Sequence, residues 1–295
     1  MRLHSKNVCN VVVQTTVCAV IACSNNPQTA GVTGTGNPPQ TVATISMRAY
    51  SQAAAMKSET GAARTIRIED GGGGVITVES LKMYVESITF IAAEQFDCPA
   101  QSGIECNGTH FIRSGPLLFD LIDATVKPSI EPFLLPAGKY DEVQFALGTV
   151  PQDSAGYPIP AGYSLELSGT ISTRDNEHHG IHILLKLDRT IELDPDSAAF
   201  TVLESCHNRI QTQFDISEWL KRIDINECID KGAAAPDSTG TLTIINTFPC
   251  GELRDPIQRA MYSESRITCE TVECEISEQA GGYSRLKDVY IRSLL

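Results

Sequence analysis

The residues best able to do chemistry lie in one run, Asp175-Asn176-Glu177-His178-His179-Gly180-Ile181-His182. Imidazoles beside a carboxylate suit a divalent metal, so His178, His179 and His182 form a candidate metal site. A zinc-protease helix also carries two histidines four residues apart, but here His179 occupies the glutamate position and Gly180 disfavours a helix. On a strand, His178 and His182 would share a face about 13 Å apart, which is too far for one ion. A solvated hairpin loop is therefore the favoured interpretation, and a metal site is the alternative.

The ten cysteines are the second source of chemistry. Cys98 and Cys106 flank a short polar loop and are predicted to form a disulfide, worth about 2.6 kcal/mol in the chain-entropy model. Cys269 and Cys274 are a second local pair that could close a loop. Seven of the ten cysteines lie after residue 23. Because seven is an odd number, at least one of them stays unpaired or forms a disulfide with another chain. The cysteines without an assignable partner are Cys206, Cys228 and Cys250. Zinc is a weaker alternative, because no Cys-x-x-Cys pair occurs.

The other motifs indicate turns and solvated surfaces. The glycine run 71–74 is not followed by Gly-Lys-Ser/Thr, so it is not a phosphate loop. The run Asp194-Pro195-Asp196-Ser197 has too few oxygen ligands for an EF-hand calcium loop. No Gly-x-Ser-x-Gly nucleophile elbow is present, and Asp120 and Asp123 are interpreted as solvated acids. We therefore expect a protein that is not an enzyme and that binds no cofactor.

The N-terminus reads as an export signal. Basic residues precede an apolar run, Val8 to Ala22, that is too short to span a bilayer as a helix. The run ends in Val20-Ile21-Ala22-Cys23, which resembles a bacterial lipobox. That resemblance implies cleavage before Cys23 and lipid on its sulfur and amine, which together anchor stably. An ordinary cleaved signal peptide is the alternative. Ser24 and Asn25, which follow the cleavage site, resemble a sorting signal for the outer membrane. We therefore expect the protein to be located in the cell envelope, at the outer membrane, and to face the periplasm or the cell surface.

Charge narrows the partners. The chain carries a formal net charge of −13, and loss of residues 1–22 moves it to −15 because Arg2 and Lys6 leave with no acid. So acidic a protein is a poor ligand for nucleic acid. The expected partners are the membrane, through the N-terminal lipid, and an envelope protein or a glycan.

Hydrophobic periodicity predicts the fold. From residue 64 onwards, short stretches alternate apolar and polar residues, most clearly from Tyr163 to Ile171, and turn residues separate them. This pattern predicts an all-β, antiparallel sandwich. The parity slips between Val85 and Ile88, so we expect a bulge near Glu86-Ser87 or a break in the strand there. One short helix is predicted at Phe214 to Leu220. The predicted organisation is a signal peptide (1–22), a flexible tether (23–62), the β-sandwich domain (63–250) and a C-terminal extension of uncertain order (251–295).

Two motifs carry a family resemblance. Leu118-Phe119-Asp120-Leu121-Ile122, followed by Leu135-Pro136-Ala137-Gly138-Lys139-Tyr140, resembles a family of uncharacterised bacterial lipoprotein domains with an L-P-A-G-x-Y motif. The resemblance covers about Ile66 to Leu187. It implies an immunoglobulin- or transthyretin-like sandwich on an exported lipoprotein, and no catalytic residues. The residues themselves predict that Tyr140 points inward and that its hydroxyl bonds the backbone, like a tyrosine corner.

The position of the only tryptophan distinguishes a glycan-binding protein, which would expose its ring, from a sandwich that buries it. If Asp215 starts a helical turn, Trp219 shares a face with Ile216 and Leu220, so its ring should be buried. A buried ring cannot serve as a flat platform for a sugar. The sequence therefore predicts a lipid-anchored cell-envelope sandwich with a structural or surface-binding role. The alternative is a glycan- or metal-binding surface lipoprotein.

Overall fold

Strands dominate the computed structural model, which confirms the predicted all-β sandwich. The structure describes residues 41–51, 64–98, 103–130, 132–152, 156–187, 189–193, 199–204, 206–221, 224–232, 234–245, 247–248, 251–252 and 254–274. The predicted signal peptide, Cys23 and the first part of the predicted tether lie outside these residues.

The large sheet is organised around β3 (Val75–Ala92), a strand of 18 residues. Its first half pairs with β9 (Leu165–Ser172) and its second half with β8 (Gly138–Leu147), all antiparallel. Along the other edge, β5 (His110–Asp120) pairs with the second half. The register shifts between Val85 and Ser87, which confirms the predicted bulge. A bulge bends a strand and increases its local twist. The bulge in β3 lies where the strand changes its partner from β9 to β8.

Shorter strands complete the large sheet around this centre. They are β2 (Ile66–Glu69), β4 (Glu105–Cys106), β6 (Thr125–Lys127), β10 (His178–Leu185), β11 (Thr190–Glu192), β12 (Phe200–Val202) and β14 (Thr241–Ile245). Two further strands, β15 (Thr247–Phe248) and β16 (Gly251–Glu252), form a separate hairpin.

The small sheet corrects two of the predicted boundaries. Its strand order is β17 (Ser265–Cys274), β13 (Cys206–Asp215), β1 (Val42–Tyr50) and β7 (Phe133–Leu134). The prediction of a tether over 23–62 is wrong for β1, and that of an extension of uncertain order over 251–295 is wrong for β17. Both strands flank β13 inside the sandwich. In β1 the buried residues Ala43, Ile45, Met47 and Ala49 alternate with polar ones, so the period of two is present in a segment whose average composition resembles a linker.

Two strand pairs differ from the predicted antiparallel arrangement. Strand β1 runs parallel to β13 over nine residues, and β14 runs parallel to β10 over five. Parallel neighbours need a long connection between them. In the first case that connection contains most of the large sheet, because β1 precedes that sheet in the chain and, of its strands, only β14 follows β13. Strand β1 therefore pairs with a strand far away in the chain.

The core lies between the two sheets, and α1 (Ser217–Leu220) covers one part of it. Trp219 is only 1% exposed, and its ring meets that of Phe214 edge-on at 6.2 Å. The predicted burial of the tryptophan is confirmed. Two more helices are present, α2 (Ile225–Asp230) and α3 (Arg254–Ser263). In α3, Ile257 and Met261 are buried at helical spacing and pack against the same core.

Tyr140 is fully buried at the start of β8. Its hydroxyl donates a hydrogen bond to the carbonyl oxygen of Pro136 at 2.9 Å, as the sequence predicts. Its ring stacks on Phe200 with the centroids 5.2 Å apart. Burial raises the pKa of this phenol, so the hydroxyl stays a donor at physiological pH. The L-P-A-G-x-Y motif thus forms a turn fastened by its own tyrosine.

The glycine run forms the turn between β2 and β3 and is organised by a buried acid. The Asp70 side chain accepts hydrogen bonds from the backbone N–H groups of Gly72 (3.0 Å) and Gly74 (2.6 Å). Its other oxygen accepts from the N–H of Ile225 at 2.9 Å, at the start of α2. A Cβ on Gly74 would lie 2.8 Å from the Asn226 amide nitrogen, which explains the glycine there. One carboxylate therefore joins the turn to a helix 155 residues away.

Candidate functional site

The candidate histidine site is spread along one strand. His178, His179 and His182 all lie on β10, and the hairpin turn precedes them instead of containing all three. Each imidazole has its own local partner. His178 bonds Ser172, His179 lies 3.4 Å from the Glu177 carboxylate, and His182 lies 2.9 Å from that of Glu166. Among the described residues, no three histidine, cysteine, aspartate or glutamate side chains are grouped to hold a metal ion.

The cysteines follow the prediction in one pair and depart from it in another. Cys98 and Cys106 are disulfide-bonded, with their Cα atoms 5.6 Å apart. The suggested loop between Cys269 and Cys274 is wrong, because both residues lie on strand β17 and Cys269 is a free thiol. Burial raises the pKa of that thiol, and its sulfur donates to the Thr201 carbonyl. Two further cysteines, Cys206 and Cys228, are disulfide-bonded.

Two candidates remain from the sequence, the calcium run and the two solvated acids. The run 194–197, considered for calcium, lies outside the described residues. Asn107 shapes a turn, because its side-chain oxygen accepts the backbone N–H groups of Thr109 and His110. Both acids interpreted as solvated, Asp120 and Asp123, line a cleft of about 410 Å³ on the outer face of the large sheet. This outer-face cleft has the size of an ordinary small-molecule site.

One wall of the outer-face cleft is built by the long connection between β8 and β9. That connection folds onto the outer face of the sheet and makes a second, small apolar cluster there. The cluster consists of Tyr84, Leu118, Val150 and Ile159, with Tyr157 and Tyr163 packed against it. The Tyr157 ring meets the Tyr84 ring edge-on at 5.9 Å. Burial, and to a smaller degree Tyr157, raise the pKa of Tyr84. The ring of Tyr157 is therefore held in place at the edge of the cleft.

Backbone hydrogen bonds fix this connection to the sheet. The N–H of Val150 donates to the carbonyl of Tyr163 at 2.9 Å, and that of Tyr84 donates to the carbonyl of Ser164 at 2.7 Å. The Ser164 hydroxyl, fully buried, donates to the carbonyl of Leu187 and accepts the N–H of the same residue. These bonds fasten both ends of the connection to the sheet.

The opposite wall is the turn between β5 and β6. Asp120 ends β5, and one of its oxygens accepts the N–H groups of Ile122 and Asp123, both at 3.1 Å. Ala124 closes the turn with a positive φ of 55°, a left-handed conformation. Asp123 is exposed beside this turn, and the second oxygen of Asp120 makes no hydrogen bond to another described residue.

The outer-face cleft contains two positive and two negative side chains that form no ion pair with the described residues. Lys82, Asp120, Asp123 and Lys127 all line it. Within the part of the chain that the structure describes, none of these four side chains forms an ion pair. Together they can offer hydrogen-bond donors and acceptors to one bound molecule. Leu118 and the ring of Tyr157 supply the apolar surface between them.

A polar row continues from the cleft across the sheet. Lys82 on β3 lies directly opposite Asp120 on β5 and opposite Glu166 on β9. Glu166 in turn lies 2.9 Å from the imidazole of His182. One oxygen of Glu166 is buried without a hydrogen-bond partner among the described residues. The row therefore extends the polar surface beyond the cleft towards the histidines.

The sequence did not identify the aromatic residue or the cations of this site. Tyr157 lies in a connection without periodicity, and Lys82 and Lys127 look like ordinary exposed strand residues. Their proximity depends on the course of the β8–β9 connection, for which no local signal exists. A cluster of tyrosines and prolines within that long connection was the only hint that it packs against something.

The fold and the outer-face cleft together define a class: an all-β sandwich with a polar, aromatic-edged recess on one sheet. No protein-family model, curated protein or solved structure matches the chain. No helix among the described residues is long and apolar enough to cross a membrane.

Proposed function

We propose that this protein is a non-catalytic binding module, held at the bacterial cell envelope by lipid on Cys23, whose outer-face cleft binds a saccharide. The observation that carries the proposal is the outer-face cleft itself. It combines the Tyr157 ring with four charged side chains that the described part of the protein leaves unpaired.

A sugar matches this combination of groups. Its ring has an apolar face that packs on an aromatic side chain, and its hydroxyl groups both donate and accept hydrogen bonds. Carboxylates such as Asp120 and Asp123 accept from hydroxyl groups, while lysines such as Lys82 and Lys127 donate to them. A ligand with a single charge would suit one pair of these side chains and meet repulsion from the other. The equal number of positive and negative side chains therefore favours a neutral, polyhydroxylated ligand.

The location is supported by the sequence and by the disulfides. The segment Val20-Ile21-Ala22-Cys23 resembles a lipobox, and the implied lipid would place the domain outside the cytoplasm, in our proposal at the outer membrane. Disulfides persist in oxidising compartments, and Cys98–Cys106 is bonded. The buried Trp219 cannot be the sugar platform, so Tyr157 takes that role.

The binding proposal is tested by titrating the purified full-length protein with neutral oligosaccharides. The panel contains maltohexaose, cellohexaose, chitohexaose and mannohexaose, and heat is measured by calorimetry. Asp123→Asn and Lys127→Gln change exposed side chains, so the fold should survive. Each should weaken the saccharide that binds by about tenfold, the equivalent of roughly 1.4 kcal/mol. Tyr157→Ala should weaken it at least as much.

Asp175→Asn is the matched control, because Asp175 is an exposed acid in the turn between β9 and β10. It should leave the affinity unchanged. Saturable binding that is indifferent to Asp123, Lys127 and Tyr157 would place the sugar elsewhere. The absence of binding by the whole panel would refute a neutral saccharide as the ligand.

Anchoring is tested separately with Cys23→Ala. In cells fed labelled palmitate, the wild-type protein should incorporate the label and sediment with membranes. The variant should lose both properties. A variant that still sediments with membranes would contradict anchoring through this cysteine, whatever the outcome of the saccharide titrations.

A further inference from the structure

A second cleft lies on another part of the molecule and has a different chemistry. It measures about 520 Å³ and is bordered by β11 on one side and α3 on the other. Helix α3 packs on this strand through its buried face, so the cleft follows the seam between the two elements. None of its lining residues is shared with the outer-face cleft. We name it the β11–α3 cleft.

Two arginines give the β11–α3 cleft its character. Arg189 precedes β11 and Arg259 lies on α3, and both are exposed. Neither guanidinium forms an ion pair within the residues that the structure describes. The Nε of Arg259 donates to the backbone carbonyl of Asp255 at 3.3 Å, which holds the side chain while its terminal nitrogens stay available. Two unpaired guanidinium groups on one cleft are unexpected in a chain with a net charge of −13.

An amide and an aromatic ring add to the arginines. The Nε2 atom of Gln258 lines the same seam, is buried, and has no acceptor among the described residues. Buried donors almost always have a partner, so an acceptor supplied by a ligand would explain it. Tyr262, one turn along α3, is 46% exposed and offers its ring to the cleft. Large apolar side chains this exposed are few among the described residues.

The carboxylates of the cleft define the ligand further. Asp255 and Glu192 also line it. Asp255 lies 3.3 Å from the guanidinium of Arg254, which reduces its repulsion of an anion. Glu192 is exposed on β11 and has no such partner among the described residues. An anion that also carries hydroxyl groups fits best, because its oxyanion can lie on the arginines while a hydroxyl donates to Glu192. Guanidinium groups match planar and tetrahedral oxyanions through paired N–H donors.

We propose that the β11–α3 cleft binds a sugar that carries an oxyanion, either a carboxylate or a phosphate, through Arg189, Arg259 and Gln258. The ring of the sugar packs against Tyr262. This site is independent of the saccharide proposed for the outer-face cleft, which is neutral and meets different residues. The protein would then hold two kinds of glycan unit at separate places.

Calorimetry with three probes tests the proposal on the purified full-length protein. The probes are glucuronate, glucose 6-phosphate and glucose. One or both anionic sugars should bind saturably, and their relative affinity tells a carboxylate site from a phosphate site. Glucose should bind at least about tenfold more weakly, and added salt should weaken the anionic sugars because the arginines are exposed to solvent.

Variants assign the binding to the cleft. Arg189→Gln and Arg259→Gln should each weaken the anionic sugar by about tenfold, and Gln258→Glu should abolish binding by placing a carboxylate beside the oxyanion. Arg266→Gln removes an exposed arginine of β17 as the matched control and should have no effect. Urea melts establish that each variant folds.

Several results would overturn the proposal. They are the absence of saturable binding by either anionic sugar, equal binding of glucose, and unchanged affinity in the Arg189→Gln, Arg259→Gln double variant. Acetate binding as tightly as glucuronate would show that the sugar ring makes no contribution, which contradicts the roles of Glu192 and Tyr262. These outcomes leave the neutral saccharide at the outer-face cleft untouched, because its variants lie elsewhere.

Discussion

The carboxylate of Asp70 offers the sharpest test of how this fold is held together. It is 5% exposed and bonds three backbone N–H groups, those of Gly72, Gly74 and Ile225. The first two belong to the turn between β2 and β3, and the third begins α2. In Asp70→Asn the amide oxygen can still accept from the turn, but the new NH2 group faces the N–H of Ile225. We therefore expect the variant to fold, with α2 detached from its anchor.

The magnitude follows from those three bonds. A hydrogen bond to a charged group contributes about 1.5–3 kcal/mol, and a buried donor left unpaired costs about 1–3 kcal/mol. Asp70→Asn loses one such bond and leaves the Ile225 N–H facing another donor, so we expect a loss of about 2–3 kcal/mol. Asp70→Ala loses all three bonds, but it also removes the cost of burying a carboxylate, so the expected loss is about 4 kcal/mol. Asp175→Asn, in the exposed turn between β9 and β10, should change stability by less than about 0.5 kcal/mol.

The pH dependence provides a second, independent readout. Burial raises the pKa of Asp70 above its ordinary value, although the bonds from Ile225, Gly74 and Gly72 oppose the shift. The folded state therefore binds this proton more tightly than the unfolded chain does. The contribution of Asp70 to stability is greatest below the unfolded pKa, near 3.9, and falls as the pH rises through the folded pKa. The advantage of wild type over Asp70→Asn should thus be larger at about pH 4 than at about pH 7.

Urea unfolding monitored by fluorescence measures both effects, because Trp219 is the only tryptophan and is buried. The slope against urea should stay the same in all variants if they unfold as one unit. An Asp70→Asn variant as stable as Asp175→Asn would refute the anchoring role. An advantage of wild type that grows between pH 4 and pH 7 would show that the hydrogen bonds outweigh burial in setting the pKa, contrary to our reasoning.

Three further predictions concern the core and the disulfide. Trp219→Ala should cost about 3–5 kcal/mol by circular dichroism melts. Trp219→Phe should cost much less, because the indole N–H has no hydrogen-bond partner among the described residues, and equal losses would contradict this. Tyr140→Phe should lose about 0.5–1.5 kcal/mol with its bond to Pro136, and a neutral effect would argue against the corner. Replacing Cys98 and Cys106 by serine should cost about 2.6 kcal/mol, and free thiols in the exported wild type, seen by mass mapping without reduction, would exclude the bond.

Local patterns predicted the parts of the fold that local interactions determine. The bulge beside Glu86 follows from a slip in alternation that any strand must accommodate. The buried Tyr140 follows from the turn that precedes it, and the buried Trp219 from its spacing to Ile216 and Leu220. Each of these depends on residues within a few positions of each other. The disulfide between Cys98 and Cys106 is also a local interaction, because the two cysteines are eight positions apart in the sequence.

The predicted domain boundaries were wrong where a strand pairs with another strand far away in the chain. Strand β1 becomes a strand because β13 offers it a parallel edge more than 160 residues later. The segment 24–60 around it has few large apolar groups, so average composition indicated a tether. The free thiol Cys269 is a similar case. Its spacing to Cys274 suggested a loop, but pairing with β13 places the two residues at separate positions of one strand.

The outer-face cleft is harder to foresee, because its polar residues obey the same alternation as a solvated face. Lys82, Asp120 and Glu166 point away from the core at positions where period two requires polar side chains, and nothing in the strands marks them as lining a recess. The difference arises from the β8–β9 connection, which covers Tyr84 and Leu118 with its own apolar residues. Once that connection lies on the sheet, the uncovered strip beside it becomes the floor of a cleft and Tyr157 becomes its edge. The shape of the outer-face cleft thus depends on what one long connection buries, and without that connection Tyr84 and Leu118 would be exposed on the same face of the sheet.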